Sequence, residues 1–150
     1  MKKYYVAYGS NLNKRQMKYR CPNAKSVCSG FLKDYELMFK GSKTGAYATV
    51  EPMEGSNVPV GVWEITKTDE KHLDRYEGYP TFYYKKDVDV HTENGIIRAM
   101  VYIMHEDHPF GQPTETYCNV CLEGYNDFEL NKLDFMDALL TNIMKGDAAV

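Results

Sequence analysis

The sequence predicts an α+β fold, in which strands dominate the first two thirds of the chain and the longer helices follow. Before residue 105, segments rich in aromatic and β-branched residues are separated by clusters of Gly, Pro, Asn and Ser, as in strands joined by turns. After residue 113, apolar residues recur at helical spacing. Because the strands form a block and do not alternate with long helices, the pattern argues against a wound parallel sheet.

The composition indicates one globular domain over residues 1–150, with 43% hydrophobic and 26% charged residues. A formal net charge of -3 argues against a nucleic-acid or anionic-membrane partner. The apolar N-terminal stretch is too short for a signal sequence, and no run approaches a membrane span. We therefore expect a cytoplasmic protein, and a monomer by default.

The first strand is expected at residues 4–8, followed by a Gly9-Ser10-Asn11 loop and a short helix over residues 13–19. A loop between a strand end and a helix start directs several backbone N–H groups at one point, which suits a carboxylate or a phosphate. A tight turn without a ligand is the alternative, because the loop lacks the glycine density of a nucleotide-binding loop.

Residues 25–40 alternate as a half-buried strand or two short strands, with Gly30 expected to mark a bend or bulge. A strand is expected at 46–50 and another at 60–65. Between them, residues 52–59 contain two prolines and a glycine and predict a turn-rich connection.

The segment 69–77 predicts a short helix with Thr68 as its N-cap and Gly78 after its C-terminus. Leu73 and Tyr76 would face the core. Glu77 lies four residues after Leu73, on the same side of the helix.

Glu77 would sit in the last helical turn, where backbone carbonyls disfavour a negative charge. With partial burial this position raises the pKa of the carboxyl group towards neutrality, as a proton-transfer residue requires. The alternative is a solvated carboxylate at a frayed helix end, or one paired with Lys71 or Arg75.

Asn94-Gly95 lies between strand patterns at 82–91 and 96–104 and predicts a hairpin. After a loop at 105–113, Thr114 can cap a helix that reaches Gly124.

A last helix is expected over residues 131–144. Its broad apolar face would pack on the sheet. That face consists of Leu133, Met136, Leu139, Leu140 and Ile143.

Cys118 and Cys121 have the spacing of a redox or zinc-binding pair, but they fall inside a helical pattern. Cys21 and Cys28 are not spaced as a zinc site. We expect four reduced, partly buried thiols. The two histidines of residues 105–108 lie in a loop-like stretch with no helical frame for a metal, so we expect no metal site there.

Five short segments, spread over most of the chain, occur in a characteristic order. They are Tyr8-Gly9-Ser10-Asn11-Leu12, Arg20-Cys21-Pro22, Gly61-Val62-Trp63, Leu73-Asp74-Arg75-Tyr76-Glu77-Gly78 and the stretch from Thr114 to Tyr117. In this order and spacing the chain resembles the γ-glutamylcyclotransferase-like (AIG2-like) family. The resemblance implies a small mixed β-barrel with flanking helices.

The resemblance also implies an enzyme that needs no metal and no cofactor and that acts on a small γ-glutamyl compound. Glu77 would be the catalytic acid/base. The residues that would bind substrate are Tyr8, Gly9, Ser10, Asn11 and Leu12, through backbone amides that hold a carboxylate, and Tyr117, through a hydroxyl in the pocket.

In such a reaction the α-amine of the γ-glutamyl group attacks its own γ-carbonyl, which forms 5-oxoproline and releases an amine. Glu77 needs only to take up one proton and return it to the leaving group. The identity of the leaving amine stays open, and the loop at 105–113 is expected to border the pocket and influence it. Two alternatives are a non-catalytic binding module on the same fold and a thiol redox protein that uses Cys118 and Cys121.

Overall fold

The computed structural model describes residues 2–148, with side chains described as far as residue 146. In this part of the chain, five strands are followed or separated by four α-helices and one 3-10 turn. The strands are β1 Lys3–Ala7, β2 Lys25–Lys40, β3 Tyr47–Ile65, β4 Tyr83–Thr92 and β5 Gly95–Met104. The helices are α1 Lys14–Arg20, α2 Lys67–Glu77, α3 Glu115–Asp127 and α4 Lys132–Ala148, and the 3-10 turn is Ser10–Leu12.

The strands close into a barrel in the order β1, β3, β2, β4, β5. β1 runs antiparallel to β3 and parallel to β5, where Tyr5 is opposite Met100, so the barrel is mixed. The α+β class and the mixed barrel are therefore confirmed. None of the described helices is long and apolar enough to cross a lipid bilayer.

The barrel interior is the core, and it is filled by alternate residues of every strand. Val6, Val50, Val60 and Ile103 are among the buried side chains that meet there.

The prediction that residues 52–59 form a turn-rich connection between two separate strands is wrong, because β3 continues through these residues. Tyr35 is opposite Pro52 and Lys33 is opposite Asn57, so residues 53–56 bulge out against Asp34 alone. Gly55, with φ of +87°, and Asp34, with φ of +62°, turn the backbone there. The long partner strand β2 holds both halves of β3 in one ladder, which local turn propensity did not reveal.

Of the predicted bend or bulge at Gly30, the bulge is wrong, since the register shifts of β2 fall between Ser26 and Cys28 and between Lys33 and Tyr35. At Gly30 a Cβ atom would lie 2.5 Å from the carbonyl oxygen of His91. The glycine is required because β2 and β4 approach closely at this point.

The helix that ends at Glu77 begins earlier than predicted. Thr66, not Thr68, is the N-cap, and it forms a reciprocal capping box with Asp69. Gly78 follows the helix in a left-handed conformation with φ of +67°, as predicted. Leu73 is fully buried as expected, but Tyr76 is 46% exposed, so its predicted place in the core is wrong.

The Asn94-Gly95 hairpin is confirmed, with Thr92 paired to Gly95. Thr114 caps α3 as predicted, but α3 continues to Asp127 and does not stop at Gly124. Gly124 instead lets the helix contact the loop after β1, because a Cβ there would lie 2.6 Å from the backbone nitrogen of Asn13.

The predicted packing face of α4 is wrong. Of its five residues only Leu139 is partly buried against the core, whereas Leu133 is 67% exposed and Leu140 is 62% exposed. Phe135 and Asn142 face the barrel instead. Sequence periodicity missed this face because it contains a polar residue.

Asn142 joins three parts of the fold. Its Oδ1 accepts a hydrogen bond of 2.8 Å from the backbone N–H of Phe39, and its Nδ2 donates one of 2.8 Å to the carbonyl of Gly111. Both bonds are buried, so neither backbone group has water as a substitute. The side chain therefore fixes α4 to β2 and to the loop that precedes α3.

We predict that Asn142→Ala lowers the free energy of unfolding by roughly 2–4 kcal/mol, because it leaves a buried N–H and a buried carbonyl without partners. Urea denaturation measures the change. Leu140→Ala on the exposed side of the same helix is the control, and it should change stability by no more than about 0.5 kcal/mol. Equal losses in the two variants would contradict the anchoring role of Asn142.

Candidate active site

The C-terminus of α2 places one carboxylate at a cavity beside the loop after β1. Leu73 packs the helix on the core, and Glu77, one turn later, lies on the same side. Gly78 then reverses the chain away from the barrel. Glu77 is thereby held at a helix end that packing and capping have made rigid.

Glu77 faces a cavity of about 210 Å³ between the loop after β1, the end of α2 and the first turn of α3. The cavity is lined by Tyr5, Val6, Tyr8, Gly9, Ser10, Asn11, Tyr47, Ala48, Tyr76, Glu77, Phe82, Tyr83, Tyr102 and Tyr117. Among these residues Glu77 is the ionisable group that titrates near neutral pH. A small polar molecule fits a cavity of this size and character.

The loop after β1 is held from two sides. The indole Nε1 of Trp63 donates a 2.9 Å hydrogen bond to the carbonyl of Asn11, and Gly124 of α3 packs against Leu12. Gly9 has φ of -128°, so it is not needed for a left-handed turn. A Cβ at this position would lie 3.1 Å from the hydroxyl of Tyr117 and 3.2 Å from the Cβ of Ala48, so a larger residue would press on the cavity wall.

The side-chain amide of Asn11 connects this loop to Glu77. Its Nδ2 donates to the Oε1 of Glu77 at 3.3 Å and to the hydroxyl of Tyr5 at 2.9 Å. No lysine or arginine among the described residues forms an ion pair with Glu77. The alternative of a pair with Lys71 or Arg75 is therefore not what the structure shows.

Burial raises the pKa of Glu77 to about 7, and the nearby guanidinium of Arg20 acts in the opposite direction. The position at a helix C-terminus also disfavours the charged form. At neutral pH the group is thus divided between acid and base, and it can take up a proton and give one back.

The tyrosine hydroxyls of the cavity differ in their hydrogen-bonding roles. Tyr8 donates to the carbonyl of Tyr102 at 2.6 Å, Tyr83 to the carbonyl of Ala48 at 2.9 Å, and Tyr102 to the carboxylate of Asp74 at 2.6 Å. These three hydroxyls are used to hold the wall of the cavity.

Tyr117 uses its hydroxyl differently, because the oxygen accepts a 3.0 Å hydrogen bond from the backbone N–H of Ala48. The proton of this hydroxyl has the thiol of Cys121 within reach, and a thiol is a weak acceptor. Tyr117 can therefore donate its proton to a molecule in the cavity.

The structure brings six of the seven sequence-predicted site residues to this cavity. They are Tyr8, Gly9, Ser10, Asn11, Glu77 and Tyr117. Leu12 is the exception, since its side chain is fully buried in the core and its N–H donates to the carbonyl of Gly9.

Sequence reasoning missed several residues of the cavity wall and its edge. They are Tyr5, Tyr47, Tyr76, Phe82, Tyr83, Tyr102 and, beside the wall, Arg20. The signals available were the excess of tyrosine, 13 residues against 6 phenylalanines, and the presence of Arg20 and Tyr76 in segments that carry the family resemblance. Composition indicates hydroxyls for a pocket but does not say which tyrosines meet there.

The four cysteines are free thiols, and Cys118 and Cys121 lie within α3 as predicted. Burial raises the pKa of Cys121 to about 12, so this thiol is not activated for redox chemistry. Residues 105–108 form the wall of a separate shallow depression. The ring of His108 packs at a tilted angle against Phe82, which borders the main cavity, with 4.8 Å between the ring centroids. Within residues 2–148, no three His, Cys, Asp or Glu side chains cluster as metal ligands.

Residues 5–119 match the family model described as "Gamma-glutamyl cyclotransferase, AIG2-like". The Homo sapiens protein named "Gamma-glutamylcyclotransferase" is 35% identical over 99 residues, which are 61% of this chain and 53% of the relative. The Mus musculus protein of the same name is 30% identical over 129 residues, covering 80% of this chain and 68% of the relative. The match thus spans about half the length of the human relative.

A solved structure titled "Gamma-glutamyl cyclotransferase" superposes with a TM-score of 0.83 at 28% identity, covering 93% of this chain and 86% of the other. A yeast structure whose title describes a cyclotransferase specific to glutathione has a TM-score of 0.66 at 12% identity, with 97% and 96% coverage. At this low identity, the similarity to the yeast structure shows a shared fold and nothing more.

We predict that Glu77→Gln stabilises the protein in a pH-dependent manner. The folded pKa of about 7 lies above the ordinary value of 4.5, so ionisation of Glu77 opposes folding as pH rises between these values, and the cost is complete above pH 7. The variant should exceed the parent in unfolding free energy by up to about 3 kcal/mol at pH 8. The gain should vanish near pH 4.

Urea denaturation at the two pH values measures this difference. Glu64→Gln, at a partly exposed carboxylate 3.8 Å from Lys2, is the control and should show little pH-dependent gain. A gain for Glu77→Gln that is the same at both pH values would contradict a raised pKa.

Proposed function

Because the chain belongs to the γ-glutamyl cyclotransferase, AIG2-like family, we propose that it converts a γ-glutamyl amide into 5-oxoproline and a free amine. The observation that carries the proposal is the carboxyl of Glu77, which has a pKa of about 7 and faces the cavity beside the amide of Asn11. Proton transfer at neutral pH is the chemistry for which such a group is suited.

The proposed reaction is intramolecular. The α-amine of the γ-glutamyl group attacks the γ-carbonyl carbon, a new C–N bond closes the five-membered ring, and the original amide C–N bond breaks. The carboxylate of Glu77 removes a proton from the attacking amine and then donates it to the leaving nitrogen. No electrons are transferred and the proton is returned, so the residues of this chain suffice and no cofactor is invoked.

The loop after β1 is proposed to hold the α-carboxylate of the substrate. Ser10 and Asn11 begin the 3-10 turn, so their N–H groups are not used within it. Gly9, Ser10 and Asn11 line the cavity, which supports this role, and the hydrogen bond of Tyr8 to Tyr102 fixes the start of the loop. We assign Leu12 a packing role, because its N–H is already bonded.

Tyr117 is proposed to stabilise the oxyanion that forms on the γ-carbonyl oxygen. Its oxygen accepts the N–H of Ala48, which polarises the O–H bond, and the thiol of Cys121 is only a weak competitor for its proton. A donor that is already in place when negative charge develops lowers the barrier without reorganisation.

We predict that the protein releases 5-oxoproline from at least one member of a panel of γ-glutamyl amino acids and γ-glutamyl amines, measured by mass spectrometry. Glu77→Gln should lower the turnover by roughly 10²-fold or more, because the amide cannot act as a base. Glu64→Gln should retain turnover. A folded protein that binds γ-glutamyl compounds but releases no product would favour the non-catalytic binding module.

The pH dependence provides a second check on Glu77. The base must be ionised, so turnover should rise as pH increases through about 7. A profile that is flat between pH 5 and 9 in a folded enzyme would remove Glu77 from the rate-determining proton transfer.

We predict that Tyr117→Phe lowers kcat by roughly 10²-fold with a smaller change in KM, as for other lost oxyanion donors. Tyr125→Phe is a matched control on the same helix, because the hydroxyl of Tyr125 is buried without a hydrogen-bond partner in the described structure. Steady-state kinetics on the best panel substrate gives both constants. Equal kcat values for the two variants would contradict the role of Tyr117.

A further inference from the structure

Arg20, the last residue of α1, lies half-buried beside the cavity and contacts the loop after β1. Its Nη1 donates to the Oδ1 of Asn11 and, at 3.4 Å, to the hydroxyl of Ser10. Its guanidinium also lies 3.7 Å from the ring centroid of Tyr76. One cation thus touches three residues of the cavity wall.

The contact with Asn11 determines which way the side-chain amide points. A guanidinium has five N–H donors and no acceptor, so only the oxygen of Asn11 can face it. The NH₂ group must then face the other way, where it donates to Glu77 and to Tyr5. Without Arg20, rotation of the amide by 180° would present its oxygen to the carboxylate of Glu77 and repel it.

The position of Arg20 is itself fixed. Its Nη2 donates to the Oε1 of Gln16 at 2.9 Å, one helical turn earlier, and its carbonyl oxygen lies 3.1 Å from the Nδ1 of His72 on α2. These partners carry no negative charge, and no carboxylate among the described residues forms an ion pair with Arg20. Its positive charge therefore stays available to act on Glu77.

The other titratable groups near Glu77 are neutral hydroxyls. They are Tyr5 and Tyr8 from β1, Tyr83 from β4 and Tyr117 from α3, and burial raises the pKa of each well above its ordinary value. Among the groups that face Glu77, Arg20 is thus the charged one. Its charge lowers the pKa of Glu77 against the effect of burial.

We propose that Arg20 is a positioning residue for the reaction, which holds the amide of Asn11 with its NH₂ towards Glu77 and sets a positive charge beside that carboxylate. The inference rests on the proposed function, with Glu77 as the base. Arg20 does not line the cavity, so it acts through Asn11 and through its field, not by contact with the reacting atoms.

The test combines a direct titration of Glu77 with kinetics. Carbon-13 NMR of protein labelled at glutamate carboxyl groups follows Glu77, whose resonance is assigned by its loss in Glu77→Gln. The titration and the pH profile of kcat/KM are compared for the parent, Arg20→Met, Arg20→Lys and Arg15→Met. Arg15 is the matched control on α1, since its exposed pair with Glu123 lies outside the cavity.

For Arg20→Met we expect the titration midpoint of Glu77 to move to higher pH, because the charged carboxylate loses a nearby cation and an oriented hydrogen-bond donor. The acid limb of the kcat/KM profile should move in the same direction. At pH 7, kcat/KM should fall roughly tenfold or more. Arg20→Lys should keep the titration midpoint of Glu77 close to that of the parent, because the positive charge is retained. It should not keep the parent kcat, because an ammonium lacks the planar, forked donor geometry of a guanidinium. Arg15→Met should match the parent in both readouts.

An unchanged Glu77 titration in folded Arg20→Met would overturn the proposal, as would a shift of the same size in Arg15→Met. If Arg20→Met does not fold, Arg20→Lys decides: a kcat equal to that of the parent overturns the proposal, and a loss in kcat with near-normal KM supports it. If no panel substrate is turned over, the proposed function fails, yet the NMR titration still tests whether Arg20 controls Glu77.

Discussion

The site depends on one contact, the hydrogen bond from the side-chain amide of Asn11 to the carboxyl group of Glu77. It joins the loop after the first strand to the end of a helix 66 residues later in the chain. Burial opposes the charge on this carboxyl, and the amide donor and the guanidinium of Arg20 favour it. The balance of these effects leaves a group that exchanges protons near neutral pH.

The rest of the fold keeps that contact in place. The barrel aligns β1 with β3, so that Trp63 holds the loop carbonyl of Asn11. Gly124 lets α3 approach the same loop, and the capping box at Thr66 and the left-handed Gly78 define both ends of α2. The glycines and caps of the sequence thus serve to bring two chain segments within hydrogen-bonding distance.

The tyrosine wall shows how one residue type supplies both structure and chemistry. A phenol buries a large apolar ring and still carries a donor. Tyr8 and Tyr83 donate their protons to backbone carbonyls, which holds the cavity wall, whereas Tyr117 accepts a backbone N–H and has only the weakly accepting thiol of Cys121 near its proton. On α4, Asn142 likewise combines a structural role with hydrogen bonding, since its single polar side chain satisfies two buried backbone groups.

The sequence by itself determined the α+β class, the hairpin at Asn94-Gly95, the helix capped by Gly78 and the family resemblance, because turn residues, caps and short motifs act through local geometry. It did not reveal the continuous β3, the inward face of α4 at Phe135 and Asn142, or the exposed position of Tyr76. Those features follow from packing between segments distant in the chain. For the same reason only the tertiary structure decided that Arg20 donates a hydrogen bond to Asn11 and that Leu12 lies outside the cavity.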